Sequence, residues 1–249
     1  MCTRPDITFA VNYAANFQIK PEPIHITLVK GIFRYLRGTT NLGLTYFKRA
    51  TSPMFCAVDA SHKNEPDQKS RTGLALFRGG AAFLWKSSVQ TATATSSTDA
   101  EYRAASLAGR KIIWARELLN ELGIRPEGAT KMQCDNQPTV RMLLNLDSHG
   151  RTEHIPVGIC WVNEIVESGE IVPEWIPTGD NSCDMHTKPL TGEKFNEFRD
   201  RMLGDPSDSQ YGLKKNLFLV QPSTEETVHK IILALPVCNR ADPSQKLYS

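Results

Sequence analysis

"TSSTDAEYRA", Thr95 to Ala104, opens a long helix, and the part played by Glu101 within it decides how the chain is read. Thr98-x-x-Glu101 has the spacing of a capping box, in which the Thr98 hydroxyl accepts from the amide of residue 101 and the glutamate reaches back to the amide of residue 98. Glu101 also heads the inward stripe Ala104, Ala108, Ile112, Ala115, Leu119 and Leu122, which recurs at helical spacing until Gly123 stops the helix. A glutamate that only caps need not face the core. The spacing taken alone makes Glu101 a cap, whereas its inward placement weighs toward a functional role if the fold brings further carboxylates to the same point.

Upstream, "MFCAVD", residues 54–59, is a continuous apolar run ending in an acid, as expected of a strand buried on both faces with Asp59 at its carboxyl end. "TGLALFRGGAAFLWKSS" follows, and its Gly79-Gly80 pair between two strand-like runs predicts a hairpin. Downstream, "TKMQCDNQPTV" reads as a strand, an acid and a helix begun by Pro138, so Asp135 stands at a strand-to-helix switch or caps that helix. A helix over about 155–167 places Ile155, Ile159, Val162 and Val166 on one face and ends at Gly169. "EIVPEWIP" is a strand that Pro173 confines to a sheet edge. "TGDNSCDMHTKPL" then turns into a short helix capped by Asp180, with Asp184 in its second turn. Three strands joined by tight turns, then helix and strand in alternation, predict an α/β fold with a mixed five-stranded sheet and flanking helices.

Two amphipathic helices, Ile7 to Phe17 and about His25 to Leu36, precede the sheet and are separated by "KPEP". Residues 1–50 form this helical segment, 51–203 the α/β domain, and 204–249 a linker and extension in which "STEETVHKIILAL" predicts a helix with a capping box at Ser223 and Glu226. In the first segment Arg4, Lys20, Lys30, Arg34, Arg37, Lys48 and Arg49 face only Asp6 and Glu22. Such a face either lies along a phosphate backbone or is simply solvated.

With 40% hydrophobic and 22% charged residues, the 249-residue chain has globular composition, and disordered and fibrous classes are excluded. A net charge of +2 does not by itself call for a polyanionic partner. Cys2, Cys56, Cys134, Cys160, Cys183 and Cys238 form no C-x-x-C pair and read as buried thiols of a reducing compartment. No apolar run approaches the length of a membrane helix, and the N-terminus lacks the apolar core of a signal peptide. An intracellular protein without membrane partners is expected.

Of 27 acids, Asp59, Glu101, Asp135 and Asp184 sit at strand ends and helix starts in an order that resembles the ribonuclease H fold. Longer strings make the likeness specific: "TRPDITFAV", "IFRYLRGT", "GGAAFLWKSSVQ", "SSTDAEYRA", "CDNQP", "RTEHI" and "IPTGDNSCDMHTKPL". Over roughly residues 3–203 the chain resembles the ribonuclease H region of copia-like retrotransposon polyproteins, joined to the last part of the reverse transcriptase. The resemblance implies a ribonuclease H-like domain in which Asp59, Glu101, Asp135 and Asp184 hold two Mg2+ ions, with Mn2+ as a substitute. Asp59 would bridge both, Glu101 and Asp135 would complete the leaving-group site, and Asp184 would hold the water-activating ion. It further implies an RNA/DNA hybrid as substrate, cut on the RNA strand to leave 5′ phosphate and 3′ hydroxyl ends. Arg71, Lys86, Ser97, Asn136 and Gln137 are candidate contacts to phosphate or 2′ hydroxyl, and each is equally readable as a solvated polar residue. Other parts of a retroelement polyprotein are the expected partners, and the cytoplasm, a virus-like particle or the nucleus the expected location.

The sequence departs from the family at Ser61 and His62, where an acid and a tryptophan are usual, at His186 in place of an aliphatic residue, and at Pro156. With no polymerase "Y-x-D-D" core and no integrase ahead of this segment, a truncated copy or a gene-model fragment is the expectation. Three other readings compete. One is a catalytically silent remnant that binds nucleic acid weakly. Another is an integrase-type strand-transfer site from Asp59, Asp135 and Glu170, which leaves Glu101 unexplained. The last is a zinc site from His149, His154, Cys183 and His186.

Overall fold

A computed structural model describes residues 3–47, 53–65, 67–144 and 157–204. Strands β1 (Phe55–Ser61), β2 (Arg71–Arg78) and β3 (Ala81–Val89) form an antiparallel meander, and Gly79 and Gly80, with φ of +67° and +90°, make the turn between β2 and β3. Both glycines occupy the left-handed region that side-chain-bearing residues avoid, which is why this pair marks the hairpin. β4 (Thr130–Cys134) lies parallel to β1, and β5 (Ile171–Trp175) parallel to β4, giving the order β3-β2-β1-β4-β5. Pro173 is accordingly on an edge strand, where its missing N–H breaks no inner ladder. The expected mixed five-stranded sheet is the one observed.

Helices cover both faces. On one, Cys56, Val58, Leu74, Leu76 and Met132 pack against Ala104, Ala105, Ala108 and Ile112 of α3 (Ser97–Glu121), together with α4 (Gln137–Leu143) and α5 (Val157–Glu167). On the other, Ala57, Ala75 and Phe77 meet Cys183 and Met185 of a 3-10 turn, Ser182–His186, and Phe198 and Met202 of α6 (Gly192–Leu203). A strand buried from both sides needs no polar alternation, hence the unbroken apolar run of β1. Three local expectations are corrected. Leu122 lies beyond the last turn of α3 and is 63% exposed, because the helix ends before the stripe comes round to the core again. The turn carrying Asp184 is 3-10 rather than α, and Asn181, not Asp180, caps it by accepting from the Cys183 amide at 3.1 Å. Helix α6 was not expected, although Phe195, Phe198 and Met202 have helical spacing and Gly204, at φ +82°, closes it.

Helices α1 (Thr8–Ala15) and α2 (Pro23–Gly38) pack on each other through Ile7, Val11, Ile32 and Leu36. They are seated on the sheet domain by polar links that the sequence did not announce. Pro5 O lies 3.1 Å from His186 Nε2, the Asn16 amide donates to Glu65 Oε2 at 2.9 Å, and the Thr45 amide donates to Leu203 O at 2.7 Å. Arg4 is buried in an ion pair with Asp6 at 2.7 Å, so it leaves the basic face proposed for this segment. The predicted helix at Ser223 and Glu226, and the positions Ile155 and Pro156, lie outside the described residues.

Among the described residues Arg71 is the largest fully buried side chain. Its Nε donates to Glu65 Oε1 at 2.6 Å and its Nη1 to Ser87 Oγ at 3.0 Å, while the guanidinium carbon stands 5.3 Å from the Phe9 ring centroid. A charge removed from water needs such a partner, and removing one member strands the other. Arg71→Ala is therefore expected to destabilise the chain by about 3–5 kcal/mol, read as a lower denaturation midpoint in urea at an unchanged slope.

Candidate functional site

The start of α3 settles which residues cap it. Ser96, not Thr98, is the N-cap: its hydroxyl accepts from the Asp99 amide at 3.0 Å, and Asp99 reaches back to the Thr95 amide at 2.8 Å. The cap is thus Ser96, two residues earlier than the T-x-x-E spacing suggested, and Asp99 ties the residue ahead of it to the first turn. Glu101 has no capping duty and, 6% exposed, turns inward. The same substitution of roles occurs at α4, where Asn136 is the cap and accepts from the Thr139 amide at 2.9 Å, leaving the Asp135 carboxylate out of the helix end. The two helix starts touch, with the Thr139 hydroxyl 3.4 Å from Thr98 O.

Asp59, Asp135 and Asp184 offer carboxylate oxygens that all lie within 4.8 Å of one another. Glu101 and Asp135, with the Cys134 thiol, form a second such group, so Asp135 belongs to both. Asp59 is held by a hydrogen bond from the Thr187 hydroxyl, which itself lies 3.1 Å from Asp184 O. The Lys188 ammonium stands 2.8 Å from Asp184 Oδ1, one turn on. Neither Thr187 nor Lys188 was singled out from the sequence, although both lie in "DMHTKPL" and Lys188 is four residues from Asp184. The Trp175 indole donates to Asp135 O at 3.1 Å and so ties β5 to the carboxyl end of β4.

The turn bearing Asp184 reaches the site because β2 has no side chain in its way. A Cβ at Gly73 would lie 2.8 Å from His186 Cβ and Thr187 Cγ2 and 2.9 Å from Cys183 O, and Gly73 is the β2 partner of Asp59.

Burial, and then the facing Asp184 carboxylate, push Asp59 up to about 7, with the Thr187 hydrogen bond pulling the other way. Burial and the charges of Asp59 and Asp135 push Glu101 well above the usual carboxylate range. Burial also raises Asp184, against the opposing hydrogen bond and charge of Lys188. Hard oxygen donors that resist ionising together fit a divalent cation, which would supply the missing positive charge.

The other expected contacts fall in different places. Ser97 and Gln137 are exposed at the first turns of α3 and α4, and Asn136 is committed to its cap. Arg71 is corrected: buried and paired with Glu65, it is a structural cation that no ligand in the site can touch. Lys86 lies in a separate cleft against α3. Glu170 precedes β5 while Asp135 follows the parallel β4, so the two are at opposite ends of the sheet, about 20 Å apart along the strands at 3.3 Å per residue. Glu170 is instead paired with Arg116 at 2.5 Å, which removes the Asp, Asp, Glu set. Of the zinc candidates, Cys183 Sγ is buried 3.0 Å from Ala57 O and His186 is bound to Pro5 O, and His149 and His154 lie outside the described residues. Among the described residues no helix is long and apolar enough to cross a membrane.

The chain is 36% identical over 197 residues to the retrovirus-related Pol polyprotein from transposon TNT 1-94 of Nicotiana tabacum, a match covering 78% of this chain and 15% of that protein. It is 33% identical over 201 residues to the corresponding polyprotein from transposon RE1 of Arabidopsis thaliana, covering 80% and 14%. The chain thus spans about one seventh of the length of these relatives. A solved structure, the LC11-RNase H1 isolated from compost, superposes with a TM-score of 0.40 at 14% identity, over 58% of this chain and 96% of that one. No protein-family model matches.

The raised carboxyl groups have a consequence for stability. Groups whose folded pKa lies above the unfolded value of about 4 stabilise the fold below that value, and the contribution is lost as pH rises through the folded pKa. For Asp59 that window runs from about pH 4 to about 7. Without divalent cation the melting temperature is expected to fall across it, and millimolar Mg2+ is expected to restore stability at pH 7 but not at pH 5. Differential scanning fluorimetry checks this, with Asp135→Asn expected to weaken the response to Mg2+.

Proposed function

The chain is homologous to one segment of the retrovirus-related Pol polyproteins of copia-like transposons, and from that kinship and its own carboxylates we propose that it is a metal-dependent ribonuclease H. The observation that supports this reading is the convergence of Asp59, Asp135 and Asp184, with Glu101 grouped with Asp135 and close enough to Asp59 for their charges to act on each other. Its substrate is an RNA/DNA hybrid, cut in the RNA strand. Asp59, Glu101, Asp135 and Asp184 would hold two divalent cations, Mg2+ by the hardness of the donors and Mn2+ as a substitute. When bound, such a pair supplies a nucleophilic water at neutral pH and Lewis-acid stabilisation of the leaving 3′ oxygen.

The chain's own groups do the positioning. Thr187 orients the Asp59 carboxylate by its hydrogen bond, and Lys188 offsets the charge of Asp184 at 2.8 Å. Burial of Asp59, Glu101 and Asp184 to 6% exposure or less keeps bulk water from screening these charges. Ser97 and Gln137, exposed on the two adjoining helix starts, offer a hydroxyl and an amide to the 2′ hydroxyls of an RNA strand. Recognition through the minor groove and backbone carries little base information, so cleavage is nearly independent of sequence. The segment of residues 1–50 is the end of a polymerase domain, docked on this nuclease through α1 and α2, and other parts of a retroelement polyprotein are its partners.

The purified chain is expected to cleave the RNA strand of an end-labelled hybrid with Mg2+ and to leave duplex DNA intact. Asp135→Asn is expected to lower the rate by about 10²–10³-fold. If the folded wild-type chain leaves the hybrid uncut, the proposal fails and the chain is an inactive remnant.

A further inference from the structure

Between the edge strand β3 and α3 lies a cleft of about 270 Å³, on the face of the sheet that α3 covers. Alternation along the strands brings Thr72 of β2 and Lys86 and Ser88 of β3 to it, with Gln90 just past the end of β3, and helical spacing brings Arg103 and Arg110. Three cations line this cleft and no carboxylate does. Arg103 is paired with Asp99, which is not part of the lining, at 2.7 Å. Lys86, half-buried, and Arg110, exposed, make no ion pair among the described residues. Gln90 fastens the floor, its Nε2 donating to Thr72 Oγ1 at 3.0 Å and to Ala100 O at 2.9 Å, so that the Thr72 hydroxyl hydrogen points to another acceptor. A half-buried ammonium beside two guanidinium groups, with hydroxyl donors between them, is the complement of a tetrahedral oxyanion.

We infer that this cleft binds a backbone phosphate of a nucleic-acid strand at a distance from the carboxylate centre, through Lys86 and Arg110 with Thr72 and Ser88. The inference rests on the nucleic-acid substrate proposed above, but not on cleavage. Arg110 is nine residues along α3 from Glu101, about 13 Å along the axis. That is the length of only a few base steps, so a hybrid lying along α3 reaches both places. The carboxylate site sets where the strand is cut, and the cleft adds affinity and fixes the register of the duplex.

Binding of an 18-base-pair hybrid, measured by fluorescence anisotropy in Ca2+ across a KCl series, tests this for the wild type and for Lys86→Gln/Arg110→Gln. Each lost phosphate contact lowers the slope of log affinity against log salt by about one. The double variant is expected to lose about two, and to bind roughly tenfold more weakly at 100 mM KCl. Arg110→Gln alone, at an exposed helix position that leaves folding intact, is expected to lose about one. Neutral methylphosphonate patches placed in the DNA or the RNA strand identify the strand, since the correct patch abolishes the difference between wild type and variant. Slopes that are equal in all three proteins overturn the inference, as does wild-type binding without salt dependence. Cleavage assayed in parallel keeps the two readings apart: a changed slope with no cleavage in the wild type leaves the cleft standing and removes the nuclease, whereas cleavage with an unchanged slope does the reverse.

Discussion

Carboxylates that repel one another, held where water cannot screen them, are the constraint on which the rest of this structure depends. Asp59, Asp135 and Asp184 come within 4.8 Å of each other while Asp59 and Asp184 are almost wholly buried. Such an arrangement weakens the fold at neutral pH unless a cation balances it. The surrounding structure holds the acids in place regardless. A strand buried on both faces carries Asp59, two helices capped by other residues present Glu101 and Asp135, and a 3-10 turn seated on Gly73 brings in Asp184.

The caps show how local roles are divided so that the site stays available. Ser96 satisfies the Asp99 amide in the first turn of α3, Asp99 accepts from the Thr95 amide just ahead of the cap, and Asn136 satisfies the Thr139 amide of α4. Had Glu101 or Asp135 served as caps, their oxygens would be committed to backbone N–H groups and lost to the centre. A second buried charge, Arg71, links the segments: with Glu65 and Ser87 it joins the sheet to Asn16 and, through Ser87 and His186, to the turn that carries Asp184. The N-terminal helices are therefore packed onto the element that positions the last acid, and loosening their contact is a route by which a distant change reaches the centre.

Much of this was legible in the residues. The Gly79-Gly80 pair, the unbroken apolar run of β1, Pro173 on an edge and the stripe of α3 each express one physical rule with one outcome, and the sheet followed from them. Less legible were matters of one or two residues. Thr98 and Ser96 both stand before a helix with an acid three residues on, and sequence spacing alone does not choose between them. Leu122 continued the helical pattern past the helix, and Arg71 read as a surface cation because its partner Glu65 lies on a connecting loop.

The sequence by itself determined the elements, their order and which four acids stand at their ends, because periodicity, breakers and turn residues act over neighbours along the chain. Tertiary structure alone decided that these acids converge, that Arg71 is buried and paired, that Glu170 lies at the other end of the sheet, and that Lys86, Arg103 and Arg110 share a cleft. Those facts depend on strand register and helix docking between residues tens of positions apart. There, shape and the energetic demands of buried charge take over from local pattern.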